Sequence, residues 1–356
     1  MEAGVFGVRF SAMSDLPLGA AYHGATAEAL ELARKEAGDS YLPSVFNPGT
    51  LSKKGPLRVA KDRISAKYSA DGKPGFDIYY ELHGTGPKRI SLLMGLNNSC
   101  FGWLDQVEEF GADPEYSVLV IDNRGYGNSQ APYTRYTTSE FAKDVLEVYE
   151  EIGWTQDKSV NLVGVSMGGM IALELSRMCP ERFHSLLLLS TTAGERHNLP
   201  PYLGVRAIAL SMTEQILGFG KPSGRVYRII DVLFPPEWQD AKSERDPSRT
   251  NREVVRPQFM WRFGFAQRPH PHGAIFQIAA ALTHRVSEKD LAKIDQTIPK
   301  IRILTGDWDN LVDPSHSKYM KSKMPHAQYE LWPGAGHAIH VQYAKRFNAM
   351  LREFTQ

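Results

Sequence analysis

The sequence predicts an α/β protein built on an open, mostly parallel sheet with helices on both faces. Two observations carry this: short, predominantly apolar runs, which suit strands buried on both faces, and helical stretches between them. The strand candidates are Ile90 to Met94, Ser117 to Ile121, Val160 to Val165, Leu186 to Leu189 and Ile301 to Leu304. After the second, Thr137 and Glu140 have the spacing of a capping box; Phe141, Val145, Val148 and Ile152 follow at helical intervals, and Gly153 stops the helix. Such strand–helix–strand units need right-handed crossovers, which place helices on both sides of the sheet.

The remaining elements follow in order. Residues 1–58 read as an N-terminal extension, helical from Thr26 to Ala37 and then broken by Pro43, Pro48, Gly49 and Gly55. Alternation from Arg63 to His83 around Asp71-Gly72-Lys73-Pro74-Gly75 predicts an antiparallel edge hairpin. From 193 to 296 the strand rhythm lapses, leaving helical stretches such as Val205 to Leu217 and Ala274 to Leu282. That segment is expected to be a helical cap inserted into a core formed by 59–192 and 297–356.

Composition excludes several function classes. Lys and Arg number 41 against 40 Asp and Glu, so no net field holds a nucleic acid or an anionic membrane surface. The mixed charges from Lys242 to Arg256 read as a solvated loop. Cys100 and Cys179 form neither a metal knuckle nor a disulfide framework, which favours a reducing compartment. No run of 18 apolar residues predicts a membrane span, and the N-terminus lacks the pattern of a secretory signal. A cytoplasmic location is expected; Arg9, Arg34 and Lys35 leave mitochondrial targeting open, although Glu2, Asp15, Glu28, Glu31 and Glu36 oppose it. Gly84-Thr85-Gly86 and Gly125-Tyr126-Gly127 complete no phosphate-binding fingerprint, no H-E-x-x-H occurs, and His270 and His272 flank Pro271 in a proline-rich turn. Neither cofactor nor metal is expected.

One motif carries chemistry. Ser159 to Val165 runs into Gly164-Val165-Ser166-Met167-Gly168-Gly169, after which Ile171, Ala172 and Leu175 continue a helix. A G-x-S-x-G between strand and helix puts the serine on a tight turn with its hydroxyl above the sheet, and the glycines let the two backbones approach. A serine hydroxyl is a weak nucleophile at neutral pH and needs an imidazole to take its proton. Among 11 histidines, His337 follows a last-strand candidate, Ala327 to Trp332, within the Gly-rich loop Pro333-Gly334-Ala335-Gly336.

From about Phe76 to Phe354 the chain resembles the α/β-hydrolase superfamily, in its serine hydrolase, esterase/lipase-like branch. The resemblance rests on the serine motif, on Asp122-Asn123-Arg124-Gly125-Tyr126-Gly127-Asn128-Ser129, on Gly306-Asp307-Trp308-Asp309 and on the His337 loop. It implies an eight-stranded, mostly parallel sheet, with Ser166 as nucleophile, His337 as base and Asp309 as the acid that orients it. Asp307 and Asp313 compete for the last role, and some relatives place the acid where this chain has Glu195. The resemblance also nominates the backbone N–H groups of Leu96 and Met167 as the oxyanion hole, although Met94-Gly95 stands where many relatives have His-Gly. Trp103 and Trp308, with Phe234, Phe259, Trp261, Phe263 and Phe265 of the cap, could offer apolar surface to a substrate.

The activity that the resemblance implies is hydrolysis of a small-molecule carboxylic ester, the class taken to include lipid esters, thioesters and lactones, through an acyl-enzyme. Two alternatives stay open: a cofactor-free lyase or C–C bond hydrolase using the same three residues, and a ligand-binding protein without turnover.

Overall fold

In the computed structural model, residues 44–195, 199–217, 222–265 and 271–356 are described. The helix expected from Thr26 to Ala37 lies outside them, as does His270. Ten strands are present among the described residues: β1 (Leu51–Lys54), β2 (Leu57–Val59), β3 (Phe76–Ile78), β4 (Tyr80–His83), β5 (Lys88–Leu93), β6 (Tyr116–Ile121), β7 (Val160–Val165), β8 (Phe183–Leu189), β9 (Lys300–Gly306) and β10 (Gln328–Trp332). Eight form one sheet in the order β1-β4-β6-β5-β7-β8-β9-β10. β1, β4 and β6 pair antiparallel, and every pair from β6 to β10 is parallel.

The apolar runs predicted as strands are strands, and β6 and β7 are buried at every position. Alternate residues feed two cores. Leu162, Leu186, Leu188 and Ile303 face one, which is closed by Phe141, Val145 and Val148 of α2 (Thr138–Ile152) and Ile171 and Leu175 of α3 (Met167–Met178). Val163, Leu187, Leu189 and Leu304 face the other, closed by Val107 and Phe110 of α1 (Leu104–Gly111) and Phe347 and Leu351 of a C-terminal helix, Ala344–Phe354.

Two expectations fail locally. The hairpin joins β2 to β3, pairing Leu57 with Ile78, so its first arm precedes Arg63. Arg63 itself is withdrawn to ion-pair with Glu140, Asp144 and Glu147 along α2, after Ala60 turns the chain with φ +58°. Leu51–Lys54, within the stretch read as an extension, is the antiparallel edge strand of the main sheet. Thr137 does cap α2 by accepting from the Glu140 N–H at 3.1 Å, but the Glu140 carboxylate turns to Arg63 and Lys143 rather than back to the cap. Gly153 ends that helix at φ +74°.

Between β8 and β9 the described chain is helical: α4 (Tyr202–Leu217), α5 (Pro222–Leu233), α6 (Pro236–Asp240), α7 (Asn251–Phe265), α8 (Pro271–Leu282) and α9 (Glu288–Thr297). The expected solvated loop from Lys242 ends early because Thr250 and Glu253 start α7. Glu253 Oε2 accepts from the Thr250 N–H at 2.7 Å, and Thr250 Oγ1 accepts from the Glu253 N–H at 3.3 Å, a complete capping box. No described helix is long and apolar enough to cross a membrane.

Candidate active site

The carboxyl ends of β5, β7, β9 and β10 deliver four loops to one edge of the sheet, where open α/β sheets bind ligands. Ser166 sits between β7 and α3 with φ +57° and ψ −124°, a strained backbone that a non-glycine residue adopts only when its surroundings enforce it. The enforcement is visible. Ser166 N–H donates to Leu189 O at 2.9 Å, and its carbonyl accepts from Thr191 Oγ1 at 2.7 Å. A Cβ at Gly164 would stand 2.3 Å from Gly168 O, and one at Gly168 would stand 2.1 Å from Leu93 O, so both motif glycines are steric requirements.

The acid and histidine loops are laced together. Asp307 N–H donates to Trp332 O at 3.3 Å and Trp308 N–H to Ala335 O at 3.0 Å. His337 Nδ1 lies 2.9 and 2.8 Å from the two carboxylate oxygens of Asp309, both residues being buried. Asp309 Oδ1 also accepts from the N–H groups of Leu311 and Val312, each at 2.9 Å, which fixes the carboxylate independently of the ring. Two acceptor oxygens at Nδ1 select the tautomer protonated there and leave the Nε2 lone pair free to take a proton. Among the described residues no hydrogen bond joins Ser166 Oγ to His337.

The rival acids have other work. Asp307 is exposed and accepts from the Gly334 N–H at 2.8 Å, shaping the histidine loop from outside. Asp313 caps helix α10 (Pro314–Lys323) through the Ser315 N–H at 2.8 Å. Glu195 lies 2.6 Å from His316 Nδ1; burial opposes its charge, yet the His316 hydrogen bond holds it below the usual carboxylate range.

Met167 N–H is the first of α3 and so has no intrahelical acceptor. The loop bearing Leu96 packs directly on the serine: a Cβ at Gly95 would stand 3.0 Å from Ser166 Cβ and 3.5 Å from its Oγ. The Asp122–Ser129 segment braces this loop. The buried Asp122 carboxylate accepts from Cys100 N–H at 2.7 Å, Ser99 Oγ at 2.9 Å and Asn128 N–H at 2.7 Å, while Asn123 Nδ2 donates to Met94 O at 2.9 Å. Burial lifts the Asp122 carboxyl above its ordinary range in spite of these donors.

Trp103 does not offer substrate the surface expected of it. It is 0% exposed, with its ring 4.4 Å from that of His340, and packs in the core. Phe234, Phe259 and Trp261 are likewise buried. Trp308, half-buried beside Asp309, keeps accessible surface; the side chains of Phe263 and Phe265 lie outside the described residues.

Three residues with polar contacts at the site were not foreseen. Gln342 accepts from the Gly336 N–H and donates to Gly334 O, both at 2.7 Å, cradling the histidine loop. Leu233 O accepts from the His337 N–H at 3.0 Å. Gln277 Oε1 accepts from the Asn97 N–H at 2.9 Å, beside Leu96. Backbone acceptors leave no sequence signal, but Gln277 had one, as the single polar residue in the run Ala274 to Leu282.

The family model described as alpha/beta hydrolase fold matches residues 89–343. A putative carbamate hydrolase, RutD, of Stutzerimonas stutzeri is 27% identical over 278 residues, covering 77% of this chain and 95% of that protein. A proline iminopeptidase of Lactobacillus delbrueckii subsp. lactis is 27% identical over 311 residues, covering 82% and 98%. Among solved structures, the esterase RhEst1 from Rhodococcus sp. ECU1013 has a TM-score of 0.63 at 24% identity, covering 79% of this chain and 95% of its own, a likeness of fold.

Proposed function

Since the chain belongs to the alpha/beta hydrolase fold family, we propose that it is a serine hydrolase cleaving a small-molecule carboxylic ester through an acyl-enzyme. The single observation that carries the reading is the buried Asp309–His337 pair on the same sheet edge as a serine held at φ +57°. In the reaction, Nε2 of His337 takes the Ser166 proton as Oγ bonds to the acyl carbon. The C–O bond to the alcohol then breaks as His337 returns the proton to the departing oxygen, and water repeats the sequence to release the acid.

The N–H groups of Leu96 and Met167 receive the oxyanion. The helices from α4 to α8 act as a cap over the site, while α9 packs Leu291 and Ile294 into the core of the sheet, and Trp308 lines the substrate side of the cap. The names of relatives support a hydrolase: a putative carbamate hydrolase and a proline iminopeptidase are among them, and an esterase is among the structural neighbours.

The test is labelling with a fluorophosphonate, followed by a panel of esters of increasing acyl length. Wild-type protein is expected to label stoichiometrically and to hydrolyse short esters, and Ser166→Ala to abolish labelling and cut kcat by at least about 10³-fold. Labelling that survives in Ser166→Ala would remove the nucleophile and the reading with it.

A further inference from the structure

We propose that Gln277, on helix α8 between β8 and β9, is a positioning residue that sets the oxyanion hole by holding the loop that carries Leu96. The proposal rests on the reading of Ser166 as an acylated nucleophile. Gln277 is 0% exposed, and both ends of its amide are used: Oε1 accepts from Asn97 N–H at 2.9 Å, and Nε2 donates to Arg124 O at 2.8 Å. A buried amide in an otherwise apolar helical run is unfavourable unless both ends find partners, and the two partners here lie on the loops after β5 and after β6.

The Leu96 loop needs such a hold. Asn97 sits at φ +48°, in the left-handed region that a non-glycine residue enters at a cost, and its own Oδ1 is buried without a partner, so the side chain does not pin its backbone. The conformation that aims the Leu96 N–H is therefore set from a helix 180 residues further along the chain. The same helix is seated firmly. A Cβ at Gly273 would stand 2.6 Å from Gly125 O, so α8 and the Arg124-Gly125 turn meet backbone to backbone. Asn123 Nδ2 joins that turn to Met94 O at 2.9 Å, closing a circuit from helix α8 through both loops to the residues before Leu96. Gln277 thus acts through Asn97 on a donor that matters only when charge develops on the substrate oxygen, so its loss falls on the chemical step more than on ground-state binding.

Gln277→Met keeps the length and approximate volume of the side chain and removes both hydrogen bonds. With an ester substrate, kcat is expected to fall about 10- to 100-fold with KM within about twofold, since small misplacements of catalytic groups cost factors of this size. The rate of fluorophosphonate labelling should fall in parallel. Gln277→Glu adds a readout that a merely structural role would not move: either form of its carboxyl accepts from the Asn97 N–H, but only the protonated form also donates to Arg124 O, so its deficit should be smaller than that of Gln277→Met and should narrow as pH falls from 8 to 5. If Gln277→Met does not fold, this ratio alone decides the matter. A folded Gln277→Met with wild-type kcat, a loss confined to KM, or a Gln277→Glu deficit that is constant with pH would overturn the proposal while leaving the serine hydrolase reading intact. Wild-type protein that does not label at Ser166 overturns both.

Discussion

Asp307 and Asp309 are two residues apart and follow the same strand, and the resemblance favours Asp309 over Asp307 as the acid that orients His337. What separates them is direction. Asp309 turns inward to receive three backbone and imidazole donors, while Asp307 points to solvent and receives one. Asp309→Asn presents an amide to Nδ1 and selects the wrong tautomer, so kcat should fall by roughly 10³- to 10⁴-fold. Asp307→Asn keeps an oxygen for the Gly334 N–H and should stay within about threefold of wild type, because a neutral exposed acceptor replaces a charged one with little change. Steady-state rates on one ester measure both, and equal losses would leave the acid unassigned. At this scale the sequence singles out Ser166 and His337 because each stands in a glycine-containing loop right after a strand. It could not identify Leu233 or Gln342, whose contacts depend on backbone placement and leave no local pattern.

At the scale of elements, strands buried on both faces were the most legible, since each is predominantly apolar. The edge strand Leu51–Lys54 was invisible for the opposite reason: three of its four residues are exposed, and Lys53 and Lys54 protect an edge rather than fill a core. The Thr250-x-x-Glu253 signal was present in the sequence, yet the surrounding charges masked it. Its helix also contains Pro257, which cannot donate to the Glu253 carbonyl; Arg249 donates to that carbonyl instead. The box therefore fixes the start of a helix already weakened in its interior. Thr250→Ala should cost about 1 kcal/mol of stability, lowering Tm by roughly 2 °C for a chain of this size. Calorimetry reads this directly, and an unchanged Tm would mean that the packing of α7, not its cap, fixes where it begins.

At the scale of the whole molecule, two of the buried imidazoles among the described residues, His284 and His340, are pushed far down by burial and link stability to pH. His284 is bonded at 2.8 Å to Thr138 Oγ1, and His340 lies over Trp103; burial pushes each down to about 3 from an ordinary 6.5. Near His340, the positive charge of Arg262 and the neighbouring His337 add to the effect. The sign follows from proton counting. Between pH 6.5 and 3 the unfolded chain binds protons at both rings that the folded chain refuses, so stability is fully present above about pH 6.5 and is lost as the pH falls toward 3. Carboxylates held low by partners, such as Glu195, work in the same direction but only below their ordinary value of 4.5. The window from pH 7 to 5 therefore belongs chiefly to the imidazoles, with a smaller part from the more exposed His184, which is also lowered by burial. Urea unfolding should give a free energy lower at pH 5 than at pH 7 by on the order of 2–4 kcal/mol, given about 1.4 kcal/mol per pH unit for each ring. His340→Phe combined with His284→Gln should remove most of that difference, because neither replacement takes up a proton on unfolding. A wild-type curve that is flat over this range, or a double variant that keeps the full slope, would show that the two rings titrate alike in the folded and unfolded chain.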